Sequence, residues 1–373
     1  MRQVRINDTR DAFLSIASPV RAELERSAIG RYSPGLEMGA FPHSVVATEI
    51  CWLNRSIKTW LNPLALAEVA SAPEIARIDI PRRLEPDVYR TGVTVDAPGF
   101  RARTGSTGKG IVIAVIDSEV AIDHPALAGR VIHRQNFTKE PWGTPDSHGT
   151  AIAGIAAAAG PEILGMAPEA RVYNYKVLAT QPWLHGDEFD GAHALEKALE
   201  DGAQVANCSW GVGLAGDGSS REARACDLAW SLGLTIVKSA GNRGPFAGSL
   251  TSPADADGVI VVGATDQEGT AVQEYSSRGP AANSRIPRPH LVAPGGIPWD
   301  GLWSCYSKGG FGDCGYGTSY AAAHVSGILA LLLEADPQRS PEDLREVLLQ
   351  HCTPLSGNPD HEGAGLFTLA QLP

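Results

Sequence analysis

IVIAVID, residues 111–117, is a run of six apolar residues closed by a carboxylate. An unbroken apolar run of this length reads as a parallel strand buried on both faces. Asp117 ends it, so its side chain emerges at the strand's carboxyl end, where open α/β sheets bind their ligands. Further strand candidates follow at Val172–Leu178, Gln204–Ser209, Leu234–Ser239 and Val259–Ala264. Helical stretches intervene at Gly149–Ala159, Asp187–Asp201 and Arg221–Leu232, and Ser319–Glu334 and Pro341–Cys352 close the series. Strand–helix alternation of this kind predicts an α/β domain with a mostly parallel sheet.

Upstream the pattern differs. Residues 10–29 place Phe13, Leu14, Ile16, Val20, Leu24 and Ile29 at roughly helical spacing, with a kink at Pro19. Val45–Leu53 and Ser56–Leu61 read as strands joined at Asn54-Arg55. Asn62-Pro63 starts a helix over Leu64–Ser71, and Ile75–Ile80 reads as another strand. These make a small α+β domain, residues 1–87. A polar segment, Pro81–Gly110, leads into the second domain, 88–373.

Composition narrows the partners. The 373 residues carry 31 Lys and Arg against 42 Asp and Glu, a net charge of −11. An acidic chain without a basic block argues against a nucleic-acid or anionic-membrane partner. Apolar residues at 43% and charged residues at 20% exclude wholesale disorder. The N-terminal stretch lacks an apolar signal region, and the longest apolar run, near Gly327–Leu333, is too short to span a bilayer. A cytoplasmic location is the expectation. Six cysteines without a CxxC pair exclude a zinc ribbon or thioredoxin-type site and read as reduced core residues. Cys305 and Cys314 flank SKGGFGD, and pairing across that hairpin under oxidising conditions stays open.

Three segments bring chemistry together. Asp117 ends its strand, His148 lies in SHGTAIAGIAAA, and Ser319 lies in GYGTSYAAAHVSG. A serine hydroxyl needs an imidazole to take its proton, and a carboxylate fixes the imidazole tautomer and stabilises its cation. The chain order Asp, His, Ser separates this arrangement from the other folds that carry the triad, and the serine is not in a G-x-S-x-G elbow.

On these motifs the region from about residue 88 to 373 resembles the subtilisin-like serine peptidases. VIAVIDSEVAIDHPAL, DSHGTAIAGIAA and GTSYAAAHVSG resemble the family's Asp, His and Ser motifs, and SAGNRG its oxyanion loop. YSSRGP and LVAPGG follow in the family's order. The resemblance implies a three-layer sandwich around a mostly parallel sheet. It also implies a Ser319 nucleophile, His148 as base and acid, and Asp117 as its partner. Asn242 and the Ser319 backbone N–H then form the oxyanion hole. NCSWG resembles the segment that pairs with extended substrate, which puts Ser209, Trp210 and Gly211 at the specificity pockets. Trp210 either lines a pocket or fills core, and Arg243 either faces the residue before the scissile bond (P1) or is merely solvated. ATEICWLNRSIKTWLNPLALAEVASAPEIARIDIPRRL resembles the family's inhibitory propeptide, a ferredoxin-like α+β domain. By that resemblance residues 1–87 act as an intramolecular inhibitor.

Departures are specific. Glu119, Tyr320 and Ala323 replace the family's usual Gly, Met and Pro, and none removes a proton-transfer group. Ala126 stands at the usual calcium Asp, and Gly160–Ile163 is short for a carbonyl cage, so no metal and no cofactor are expected. His324 resembles a structural histidine, Asn207 supports the substrate-pairing strand, and Glu119, Asp123 and His124 read as loop residues. Asp87 at P1 would sit near Arg243, with Leu84 in a pocket further upstream, which predicts an acidic P1 preference and self-processing at Asp87–Val88. The expected function is serine endopeptidase. The alternatives are a dedicated intracellular peptidase that matures a precursor peptide, and a latent peptide-binding scaffold.

Overall fold

The computed structural model describes residues 10–16, 47–51, 56–61, 71, 75–79, 87–282 and 286–372. The chain forms two compact units, Met1–Leu84 and Glu85–Pro373.

In the first unit, strands β1 (Arg10–Ile16), β2 (Ala47–Cys51), β3 (Ser56–Leu61) and β4 (Ile75–Asp79) form a sheet in the order β2-β3-β1-β4. The described pairings are antiparallel. The helix expected from residue 10 is therefore corrected over its first seven residues, which are strand. Phe13, Leu14 and Ile16 fit either period over so short a run. Pairing decides it: β1 is hydrogen-bonded on both sides, to β3 and to β4. The rest of that stretch, and the helix expected at Leu64–Ser71 apart from a turn at Ser71, lie outside the described residues.

The second unit opens with two helices, α1 (Asp87–Thr94) and α2 (Ala97–Thr104), where a polar connection was expected. Val95, Ala97 and Phe100 are buried in the core and hold them down. The sheet strands are β5 (Val112–Asp117), β6 (Val131–Asn136), β7 (Arg171–Lys176), β8 (Val205–Cys208), β9 (Thr235–Ser239), β10 (Ile260–Thr265) and β11 (Leu291–Pro294). A hairpin, β12 (Trp303–Cys305) and β13 (Phe311–Asp313), stands apart, and β14 (Cys352–Thr353) and β15 (Leu366–Phe367) complete the sheet. Its order is β14-β15-β11-β10-β9-β8-β5-β7-β6, parallel throughout except for β14 against β15.

Burial explains the unbroken run at 111–117. Ile113 and Val115 join the core on one face, with helices α3 (Ser147–Ala157) and α6 (Thr318–Ala335). Ala114 and Ile116 join the other, with α4 (Glu188–Glu200) and α5 (Arg221–Ser231). These are the three layers. By the same alternation Asp117 belongs with Ile113 and Val115, on the face where α3 and α6 begin. Helix α6 is long and apolar enough to cross a bilayer by length and composition, but 89% of its apolar window is buried inside the fold. It packs close to α3 because Gly327 has no side chain: a Cβ there would lie 2.8 Å from the Ala156 carbonyl oxygen. Helix α7 (Pro341–Gln350) starts with a reciprocal Ser340–Asp343 cap.

Cys208, Cys226, Cys305, Cys314 and Cys352 are all free thiols. The hairpin register puts Phe311, not Cys314, opposite Cys305, and Cys314 Sγ donates to the Gly312 carbonyl at 3.4 Å. The pairing left open by sequence is not made.

Candidate active site

Each expected residue stands at an element end. Asp117, fully buried, ends β5; its Oδ1 accepts the Ser118 N–H at 2.7 Å and the His148 Nδ1–H at 2.7 Å. His148 is in the first turn of α3, whose cap Asp146 accepts the His148 backbone N–H at 2.8 Å. Burial alone would lower the imidazole's pKa. The Asp117 carboxylate, through charge and hydrogen bond, and Asp146 outweigh it and hold His148 above its usual value. The Tyr320 ring stands 5.9 Å from the imidazole, centroid to centroid.

Ser319 opens α6 and is buried. Its hydroxyl donates to the Ser209 carbonyl at 3.4 Å, and Ser209 Oγ donates back to the Ser319 carbonyl at 3.1 Å. Asn207 Nδ2 donates to Ser209 Oγ at 2.9 Å and Asn207 Oδ1 lies 3.0 Å from Ser326 Oγ, so β8 and α6 are tied beneath the serine. Among the described hydrogen bonds none joins Ser319 Oγ to His148. Such nucleophile–base contacts commonly tighten only with substrate bound.

Helix α6 has no side-chain cap of its own. Asn242 supplies one from the loop after β9: its Oδ1 accepts both the Thr318 N–H and the Thr318 hydroxyl, each at 2.9 Å. That fixes the amide's orientation and leaves Nδ2–H₂ to donate beyond the helix end. A Cβ at Gly317 would lie 3.1 Å from Nδ2, so glycine keeps the approach open. The helix N-terminus adds partial positive charge at the same place.

Trp210 lies over Gly191 of α4, where a Cβ would meet its Cη2 at 2.6 Å, and it packs on the core beside α4 and α5. Arg243 is exposed, with its backbone N–H on Ser277 Oγ at 3.0 Å. His324 is buried: Nδ1–H donates to the Tyr320 carbonyl and Nε2 accepts from Thr91 Oγ1, each at 2.8 Å. Burial brings its pKa down to about 4. Ala126 is buried at the position where the resemblance puts a calcium-binding carboxylate; its carbonyl accepts the Ala159 N–H at 2.8 Å. Among the described residues no group of three or more His, Cys, Asp or Glu could hold a metal ion.

Glu119 lies in the loop after β5, as expected, and is buried there two residues beyond Asp117. Lys176, fully buried at the end of β7, pairs with Glu119 at 3.1 Å and with Glu140 at 2.8 Å. Glu119 also accepts the Gly143 and Thr144 N–H groups. Burial would raise the Glu140 pKa, but Lys176, Thr180 and Thr144 bring it down to about 2. This network fixes the loop that delivers Asp146 and borders a cavity of about 650 Å³ lined by Glu119, His124, Trp142 and Lys308. A lysine that ends a strand gave no sequence signal for it.

Residues 108–365 match the subtilase family. Serine protease AprX of Bacillus subtilis is 30% identical over 327 residues, 80% of this chain and 67% of its own length. Fervidolysin of Fervidobacterium pennivorans is 34% identical over 288 residues, 71% of this chain but only 40% of its own length. Among solved structures, the prenylagaramide maturation protease PagA superposes with a TM-score of 0.60 at 26% identity, covering 73% of this chain and 96% of that one.

Proposed function

The chain belongs to the subtilase family, and on that premise we propose that it is a serine endopeptidase working through Ser319, His148, Asp117 and Asn242. The observation that carries the reading is the 2.7 Å bond from His148 to buried Asp117 on the face where α6 presents Ser319 beside Asn242. Ser319 Oγ attacks the scissile carbonyl as His148 takes its proton, and Asp117 holds the tautomer and stabilises the imidazolium. Asn242 Nδ2 and the Ser319 N–H donate to the oxyanion. His148 returns the proton to the leaving amine, and water then hydrolyses the acyl-enzyme.

Substrate pairs with Ser209–Gly211, P1 is acidic, and residues 1–87 restrain the second unit until the enzyme cuts itself at Asp87–Val88. An intracellular setting goes with the second reading, maturation of a precursor peptide. It is favoured by the structural likeness to PagA, itself named a maturation protease.

A fluorophosphonate probe on the full chain tests the core of this. Ser319 is labelled, slowly in the full chain and faster once residues 1–87 are removed, and Ser319→Ala is not labelled. No labelling in either form defeats the enzyme reading in favour of a latent scaffold.

A further inference from the structure

Lys238 is a buried charge that the proposed chemistry leaves unused. It is the fourth residue of β9, in TIVKS, and is fully buried. Its ammonium donates to neutral oxygens: the Ser239 carbonyl, Ser239 Oγ at 3.2 Å and Thr251 Oγ1 at 3.5 Å. The titratable groups facing it are Cys208 on β8, its register partner, Cys226 on α5, and Asp255 on the loop beyond Thr251. Burial pushes both thiols up, Cys208 to about 12, so neither supplies a negative charge. Asp255 acts only from a distance, its Oδ2 accepting the Gly216 and Gly218 N–H groups at 3.0 and 3.1 Å. Burial brings Lys238 down to about 8, which leaves it mostly cationic at neutral pH.

Thr251 ties this lysine to the active site. A Cβ at Gly211 would lie 2.5 Å from Thr251 Oγ1, and a Cβ at Gly241 would lie 2.9 Å from the same atom. Gly211 ends the Ser209–Gly211 segment, whose Ser209 is hydrogen-bonded both ways with Ser319. Gly241 precedes Asn242, and its N–H donates to Thr318 Oγ1 at 3.1 Å. The Thr251 hydroxyl is thus packed between the two backbone segments that flank Ser319, with the Lys238 ammonium 3.5 Å from it.

We propose that Lys238 is the specificity determinant that selects a short carboxylate, aspartate, at P1, acting through the Thr251 hydroxyl between Gly211 and Gly241. The inference rests on the acidic P1 reading and moves its source from Arg243 to Lys238. A buried cation that makes no direct ion pair among the described residues, with Asp255 acting on it only through space, is poorly compensated, and a substrate carboxylate adds to that charge. The Thr251 hydroxyl accepts from Lys238 and donates to the Ala240 carbonyl, each at 3.5 Å; with substrate bound it keeps the first bond and turns its proton from Ala240 to the carboxylate, a charge-assisted arrangement. Thr251 occupies the space between Gly211 and Gly241, which favours the shorter aspartate over glutamate.

The test uses the full chain and paired peptides differing only in Asp or Asn at P1, two side chains of nearly equal volume. The wild type favours Asp by roughly tenfold or more in kcat/KM, the size expected of one charge-assisted hydrogen bond. Lys238→Met brings the ratio close to one, compared with the wild type at the same extent of self-processing, and Arg243→Ala keeps most of the preference. In the wild type the ratio declines as pH rises through about 8, as Lys238 loses its proton. A wild type that does not favour Asp, or that cuts after neither residue while cutting elsewhere, overturns the acidic reading and this inference together. A preference for Asp that survives Lys238→Met and is lost in Arg243→Ala keeps the acidic reading and overturns the role of Lys238. If Lys238→Met does not fold, the wild-type series decides: a ratio constant from pH 7 to pH 9.5 overturns the inference.

Discussion

His148 and His324 are the same ring in opposite settings. His324 is buried with a carbonyl and a hydroxyl for partners, and burial takes it down to about 4. His148 has Asp117 at 2.7 Å and Asp146 close by, and these more than offset burial. A general base works only when neutral, so a raised pKa moves the acid limb of activity upward. The kcat/KM profile is expected to rise with its midpoint above 6.5, and Asp117→Asn to cost about 10⁴-fold in kcat. A wild-type limb at or below 6.5 would contradict the assigned pair. Asp117, His148, Ser319 and Asn242 were all legible in the sequence, because each chemical type sits in a short motif at an element end. Lys238 was not. It reads as one polar letter inside the apolar strand TIVKS, and only the approach of Thr251 gives it meaning.

Elements were legible where burial is two-sided and illegible where pairing decides. The run at 111–117 fills both faces of the sheet and could be read directly, whereas β1 satisfied a helical spacing and became a strand through partners far along the chain. Helices α1 and α2 were not legible because the buried residues that anchor them, Val95 between them and Phe100 within α2, sit among polar neighbours. The loop before α3 was least legible of all: Lys176, Glu119 and Glu140 meet only in three dimensions. Its energetics are testable. Glu140 titrates at about 2 in the fold against 4.5 normally, so its contribution is complete above about pH 4.5 and is lost as pH falls toward 2. Glu140→Gln is expected to destabilise the protein by about 1–3 kcal/mol at pH 7 by loosening a buried charged network. The difference from wild type should shrink below pH 4, as measured by urea unfolding at several pH values. An equal deficit at pH 7 and pH 3 would show that the charge is immaterial.

At the scale of the whole molecule, the junction between the two units is where the proposed chemistry turns on the chain itself. The contact boundary falls between Leu84 and Glu85, and Asp87 is the first residue of α1. A peptidase that pairs substrate as a strand needs extended backbone, so cutting Asp87–Val88 requires the first turn of α1 to unwind. The cost is modest, since first-turn N–H groups have no intrahelical partners. The helix pair is anchored further on, by the Thr91–His324 hydrogen bond and by buried Val95 and Phe100, so release at residue 88 leaves those anchors in place. Intact-mass measurement of purified protein is expected to show loss of residues 1–87 in the wild type. The full mass should persist in Ser319→Ala, and processing of Asp87→Asn should slow by the same factor as the Asp-over-Asn preference on peptides. That equality is the demanding part, because it ties the chain's own junction to Lys238. Processing at another bond, or at Asp87–Val88 in Ser319→Ala, would separate the two and assign the cleavage to a different enzyme or a different site.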